Sequence, residues 1–229
     1  IKEFNWSSDV CSSDLGTASM YAGTGYPSGG YRHTYTNASG DFYFGTGDWC
    51  VEYWVYPTNI STADARTLLI LTDDIPDNNN PTGVGGADFI LACMHNNTSG
   101  MQIYIPNGAG SVSLKNFGGT ALTTNAWTHI AVCRNGTSLK AYKNGTALPT
   151  SFTDSTDMKQ TTGNTLTPRT WIGGTPASGE VRFGGYLDDV RITKGNAVYT
   201  ANFTAPTSAL TNTPNTVLLW HADSSTTEI

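Results

Sequence analysis

Two Asn-Gly pairs, Asn135-Gly136 and Asn144-Gly145, punctuate an alternating run from Trp127 to Thr146 and limit what this chain can become more than any other feature. The run reads Trp-Thr-His-Ile-Ala-Val-Cys-Arg, a turn, Ser-Leu-Lys-Ala-Tyr-Lys, and a second turn. Asn-Gly between alternating segments is the strongest short-range hairpin signal, because both central turn positions call for positive φ. In Asp48 to Tyr56, Trp49, Val51, Tyr53 and Val55 fall on one face, and Pro57, which cannot donate to a ladder, is expected to end the strand. Further strands are expected over 66–71, 88–95, 100–105, 169–174, 181–183 and 185–193. No segment carries a sustained helical period with caps. Strands at roughly 8–12-residue spacing with turn chemistry between them imply an all-β sandwich or barrel.

At 229 residues the chain suits one large sandwich, enough to bury a core without staples. Only 13% of its residues are charged, where about 25% is usual. Thr, Ser, Asn and Gly fill the difference. The net charge is −6 with no Lys/Arg block, which excludes the electrostatic footprint of a nucleic-acid binder and of docking on anionic membranes. No apolar run approaches the roughly 20 residues of a spanning helix, so membrane insertion by one is not expected. The start of the sequence lacks the basic and apolar regions of a signal peptide.

The reading divides the chain at residue 16. Residues 1–15, with the aperiodic Ser7-Ser8-Asp9-Val10-Cys11-Ser12-Ser13-Asp14-Leu15, resemble an adapter-derived peptide of translated environmental assemblies. That points to a metagenomic source, and the segment is set aside from functional reasoning. Residues 16–229 are read as a single domain. Its opening stretch, 16–47, is rich in Tyr and Gly, and a closing strand is expected near 215–222.

The resemblance of the whole lies in combined motifs. Asp41-Phe42-Tyr43-Phe44-Gly45-Thr46-Gly47-Asp48 with Val51-Glu52-Tyr53-Trp54-Val55-Tyr56-Pro57, the hairpin from Trp127 to Gly145, Trp171-Ile172-Gly173-Gly174, and Phe183-Gly184-Gly185-Tyr186-Leu187-Asp188-Asp189-Val190-Arg191-Ile192 resemble the laminin-G-like, concanavalin A-like lectin/glucanase domains. The tail from Thr193 through Val198-Tyr199-Thr200-Ala201-Asn202-Phe203-Thr204-Ala205-Pro206 is similar to the subset found in phage and marine microbial surface proteins. The resemblance spans residues 41 to about 206 and implies a two-sheet antiparallel jelly-roll sandwich. It also implies that Asp188 and Asp189 are structural, and that Glu52 makes a structural hydrogen bond. Thr216-Val217-Leu218-Leu219-Trp220 either pairs back as a last strand or opens a further copy.

Retaining glucanases of this fold carry Glu-x-Asp-x-x-Glu on one strand, which sets carboxylates about 5 Å apart for double displacement. The glutamates here, Glu3, Glu52, Glu180 and Glu228, do not stand in that arrangement, so no catalytic residues are assigned. His33, His95, His129 and His221 are scattered, and His129 reads as a half-buried strand residue. Cys50, Cys93 and Cys133 read as buried thiols, with a Cys50–Cys93 or Cys93–Cys133 bridge as the alternative. The tryptophans in the strand motifs, Trp49, Trp54, Trp127 and Trp171, read as packing residues.

Two binding features are expected. Asp73, Asp74, Asp77 and Asn78 gather hard oxygen ligands on one loop, the chemistry calcium needs. Tyr21, Tyr26, Tyr31 and Tyr35, spaced among Gly and Ser, have the composition of an adaptable contact surface. The function expected is non-catalytic recognition at an extracellular or virion surface, with a glycan or host-surface receptor as partner. The alternative is a self-assembling structural subunit contacting copies of itself or other virion proteins. A glycoside hydrolase is the third reading, disfavoured by the glutamates.

Overall fold

The computed structural model describes residues 20–22, 33–36, 42–59, 65–72, 89–96, 99–106, 112–119, 121–158, 169–173 and 183–222. Within them every regular element is a strand: β1 (Met20–Ala22), β2 (His33–Thr36), β3 (Trp49–Asn59), β4 (Ala65–Thr72), β5 (Phe89–Asn96), β6 (Gly100–Pro106), β7 (Val112–Gly118), β8 (Thr128–Asn135), β9 (Ser138–Lys143), β10 (Thr146–Ala147), β11 (Phe152–Thr153), β12 (Arg169–Ile172), β13 (Gly184–Lys194) and β14 (Thr216–Trp220). They form two antiparallel sheets. One runs β1-β13-β3-β8-β9-β10, with β11 on β9 and β14 on β13; the other runs β2-β12-β4-β5-β6-β7. The jelly-roll sandwich expected from the sequence is therefore the fold.

The core lies between the sheets. Trp49, Val51, Tyr53 and Val55 of β3 are buried there, as the period of two requires. Leu69 and Leu71 of β4, Leu91 and Cys93 of β5, and Ile103 and Ile105 of β6 meet them from the other layer. Trp49 stacks on Phe44 at 5.4 Å. The Tyr53 hydroxyl donates to the Met101 sulfur across the sheets, at 3.8 Å. Each such large apolar side chain contributes about 1.5–3 kcal/mol when fully buried.

Both Asn-Gly turns form, but differently. At Asn144-Gly145 both residues have positive φ, 48° and 78°. At the other turn Asn135 stays in β8 and pairs with Ser138, and Gly136 supplies the positive φ at the first central position. Pro57 does not end β3. The strand continues to Asn59 through a register shift, where Pro57 pairs with Gly185 and Asn59 with Gly184, and such irregularities tolerate a missing donor. A second shift, between Asp188 and Arg191, places Asp189 at φ 51°. β14 pairs with β13 as a closing strand.

The buried-thiol reading holds for Cys93 and is corrected for Cys50 and Cys133, and both expected pairings with Cys93 are corrected. The bridge joins Cys50 to Cys133, which face each other across β3 and β8 with Cα atoms 4.1 Å apart. Cys93 is a buried free thiol in the other sheet, and burial pushes its titration well above that of an ordinary thiol. Because Trp49 and Val51 fill the interior, Cys50 points away from it and cannot meet Cys93.

Candidate functional site

The outer surface of the eight-stranded sheet brings the chemistry together. Cys50, Glu52, Trp54 and Tyr56 alternate with the core residues of β3, so they share this face. Register sets Thr193 and Cys133 beside Cys50, Arg191 and Ala131 beside Glu52, His129 beside Trp54, and Tyr186 beside Tyr56.

Part of the face is closed by the segment that follows β13, residues 195–210. Ala197, Val198, Tyr199 and Phe203 of this strap pack on Cys50, Ala131, Cys133 and Tyr142. The Tyr199 and Phe203 rings stack at 3.5 Å, and each meets His129 edge-on. Lys140 Nζ donates to the Thr200 carbonyl, Ala147 N to Asn202 Oδ1, and Phe203 N to the Gly145 carbonyl.

Glu52 is the hub beneath the strap. Its Oε1 accepts from Arg191 Nε at 2.8 Å and Nη2 at 2.6 Å. Its Oε2 accepts from the Tyr199 hydroxyl at 2.8 Å and pairs with His129 Nε2 at 3.1 Å. A carboxylate accepts only, so the His129 hydrogen sits on Nε2. Arg191 Nη1 also donates to the Thr211 carbonyl. Burial alone would raise the Glu52 carboxyl, but the His129 hydrogen bond, Arg191 and Tyr199 outweigh it and hold the group below its ordinary range. The structural role expected of Glu52 is what the geometry shows, with four bonds rather than one.

The other described carboxylates are engaged likewise. Asp188 Oδ1 accepts from Asp189 N and Ala222 N, and Asp189 bonds Leu210 N and His221 Nδ1. The two aspartates clamp both ends of the returning tail. Asp48, four residues ahead of Glu52, accepts from Gly136 N at the rim. Asp154 bonds Lys115 and lies beside the fully buried Arg134, whose guanidinium binds the carbonyls of Gly45, Gly47 and Thr156.

Beyond the strap the same face carries an aromatic cluster. Tyr56 lies 5.4 Å from Trp127 and 5.9 Å from Tyr186, and Trp54 lies 5.2 Å from His129. Trp54, Tyr56 and Trp127 are partly exposed. The indole Nε1 of Trp54 and of Trp127, both shielded from water, have no hydrogen-bond acceptor. A shielded donor without a partner is unfavourable by about 1–3 kcal/mol. Partly exposed rings can take the apolar face of a ring-shaped polar ligand.

Of the residues proposed from sequence for binding, Tyr21 lies in β1, paired with Tyr186, and Tyr35 in β2, paired with Thr170. The two strands belong to opposite sheets. Tyr26, Tyr31 and the loop residues Asp73, Asp74, Asp77 and Asn78 lie outside the described residues. Among the described residues no group of three or more His, Cys, Asp or Glu is placed to hold a metal. Trp49 packs in the core as expected, whereas Trp54 and Trp127 belong to the outer cluster. The alternation of β3 already carried that signal, since a face with Trp49 and Val51 inside must put Trp54 and Tyr56 outside.

Two antiparallel sheets around one core, with a strap over one outer face, define a jelly-roll β-sandwich. The chain belongs to the concanavalin A-like lectin/glucanases superfamily, whose Laminin_G_3 family matches residues 28–198. No curated protein sequence matches it. Among solved structures it is similar to the CBM40 domain of the Ruminococcus gnavus IT-sialidase. The form bound to alpha2,3 sialyllactose matches with TM-score 0.53 and 14% identity over 79% of this chain and 91% of that one. The form bound to alpha2,6 sialyllactose gives 0.52 and 13% over 79% and 92%. Domain 4 of an extracellular arabinanase from Geobacillus stearothermophilus, in complex with arabinotriose, gives 0.49 and 15% over 80% and 84%. At these identities the likeness to the CBM40 domain shows the fold alone.

Proposed function

We propose that the protein is a non-catalytic glycan-recognition domain that works outside the cell. The observation that carries this reading is the cluster of Trp54, Tyr56 and Trp127 over the buried Tyr186, in which the first three rings are partly exposed on the outer face. A pyranose presents an apolar face and a fringe of hydroxyl oxygens, which is the complement of such a surface. The similarly folded CBM40 domain bound to sialyllactose supports a sugar as the ligand class. Non-catalytic action is supported by the carboxylates described above, because Glu52, Asp188 and Asp189 are taken up by hydrogen bonds that hold the fold together. The Cys50–Cys133 bridge supports an oxidising compartment. In the fuller form of this reading the domain sits on a virion or an extracellular appendage, with the phage-like tail motif as support. Tyr21, Tyr26, Tyr31 and Tyr35 extend the contact surface, and calcium binds at Asp73, Asp74, Asp77 and Asn78.

A glycan array followed by calorimetry tests the proposal. Trp127→Ala is expected to weaken the best sugar at least tenfold while leaving the unfolding transition cooperative. Full affinity in both Trp127→Ala and Tyr56→Ala would remove the cluster as the site. Full affinity in Tyr26→Ala/Tyr31→Ala would remove the tyrosine extension, and an unchanged melting curve with and without chelator would remove calcium.

A further inference from the structure

Ring stacking takes the apolar face of almost any pyranose, so discrimination between sugars falls to the charges around the rings. A carboxylated or sulfated sugar must shed water to lie on Trp54, Tyr56 and Trp127. That is unfavourable unless a cation replaces the water, best of all a guanidinium offering two parallel N–H groups. The outer face of the eight-stranded sheet does carry a guanidinium, that of Arg191, but it is already committed. Its Nε and Nη2 both donate to Glu52 Oε1, at 2.8 and 2.6 Å, and its Nη1 donates to the Thr211 carbonyl at 3.0 Å. His129, fully buried on the same face, gives its Nε2 hydrogen to Glu52 Oε2. Lys140 lies beside Cys133, and its Nζ donates to the strap at the Thr200 carbonyl. Lys143 is paired with the core residue Ile130, and its Nζ donates to the Ala121 carbonyl. The charge that register does bring beside the rings is negative. Asp188 stands opposite Trp54, is buried, and accepts from Asp189 N and Ala222 N through Oδ1.

Taking the ring cluster as the sugar site proposed above, we infer that it is selective for neutral glycans and rejects their sialylated, uronic and sulfated forms. An anionic group laid over Trp54 meets the carboxylate of Asp188 on the neighbouring strand, which is a like charge. It can recruit Arg191 only by displacing Glu52, and that exchange leaves a buried carboxylate without its counter-charge. A fringe of sugar hydroxyls raises neither conflict, because a neutral group needs hydrogen bonds and no balancing charge. The Glu52–Arg191 pair thus has two consequences. Being closed, it fastens the sheet to the tail that carries Thr211. Being closed, it also withholds from the ring cluster the one guanidinium that the described part of this face could offer an acidic sugar.

A glycan array that carries each neutral backbone beside its acidic form tests this, followed by calorimetry on the matched pairs. Lactose against sialyllactose is one such pair, and methyl-esterified against de-esterified homogalacturonan is another. Hits of the wild type that are lost in both Trp127→Ala and Tyr56→Ala report on the ring cluster. Those hits are expected to be neutral, with the acidic member of each pair at least about tenfold weaker. Affinity for the neutral member is expected to stay within about twofold as salt rises from about 0.05 to about 0.5 M, because no ion pair forms. A cluster-dependent hit that binds as tightly in its acidic form would overturn the selectivity and leave the sugar site standing. So would a cluster-dependent affinity that falls about tenfold over that salt range. An array without any cluster-dependent hit would remove the sugar site itself, and the selectivity with it.

Discussion

The hydroxyl of Tyr199 donates to Glu52 Oε2 at 2.8 Å, joining residues 147 positions apart and fastening the strap to the sheet it crosses. The strap has little backbone ladder of its own. It is held by the Tyr199 bond to Glu52, by Phe203 N on the Gly145 carbonyl and by ring packing on the sheet, and the first expectation concerns the buried carboxylate.

Glu52→Gln keeps the shape but leaves the Arg191 guanidinium without its counter-charge, and breaking a buried pair costs about 3–5 kcal/mol. Burial raises this carboxyl, yet His129, Arg191 and Tyr199 lower it further, so the folded group titrates below its ordinary 4.5. The stability it contributes is therefore complete above pH 4.5 and is lost as pH falls through the lower folded value. Urea unfolding from pH 7 to pH 3 is expected to show a steep acid loss in the wild type and a shallower one in the variant.

His95 acts at milder acidity. It is buried near Lys143, and its Nε2 accepts from Leu122 N at 3.0 Å, a bond only the unprotonated ring can make. Burial first, then Lys143, bring it down from 6.5 to about 4. The unfolded chain binds this proton more readily, so stability falls as pH drops from 6.5 towards 4, by about 2 kcal/mol at pH 5. His95→Gln is expected to flatten the stability profile over that interval whatever its absolute stability.

Gly145 and Gly136 form a controlled pair. Both have positive φ, 78° and 56°. A Cβ at Gly136 meets nothing within 4 Å, whereas one at Gly145 would lie 1.9 Å from the Phe203 carbonyl oxygen. Gly136→Ala is expected to cost about 1–2 kcal/mol from backbone conformation alone. Gly145→Ala must also displace the strap, so it is expected to cost clearly more and to speed amide exchange at Phe203.

The Cys50–Cys133 bridge spans 83 residues of sequence. Replacing both cysteines by alanine is expected to destabilise the domain by about 2–4 kcal/mol. Mass spectrometry of the native protein should find one blocked pair, with Cys93 alkylated only after unfolding.

The strands were legible wherever local chemistry set them: the alternation of β3, the turns around β9, the glycines flanking β13. What was not legible depended on which layer each strand joined. Cys50 and Cys93 look equivalent in sequence, but one lies on an outer face and the other in the core of the opposite sheet. Pro57 reads as a stop because the register shift that accommodates it is made by Gly184 and Gly185, far along the chain. Glu52 could be excluded from a glucanase pattern, and its structural role could be anticipated from family likeness. Its partners Arg191, His129 and Tyr199 come from three separate elements and have no local signature. Trp54 reads as a packing residue from its strand motif, although the period of β3 turns it outward.

Cys50 and Cys133 lie under Tyr199 and Phe203, and this imposes an order on assembly. The sulfurs can be reached by an oxidant only while Ala197, Val198, Tyr199 and Phe203 are still undocked. Once the strap has settled, a small reductant must wait for it to lift. The bond is thus made by an open chain and kept by a closed one, so the C-terminal segment acts as the guardian of a covalent link in which it takes no part.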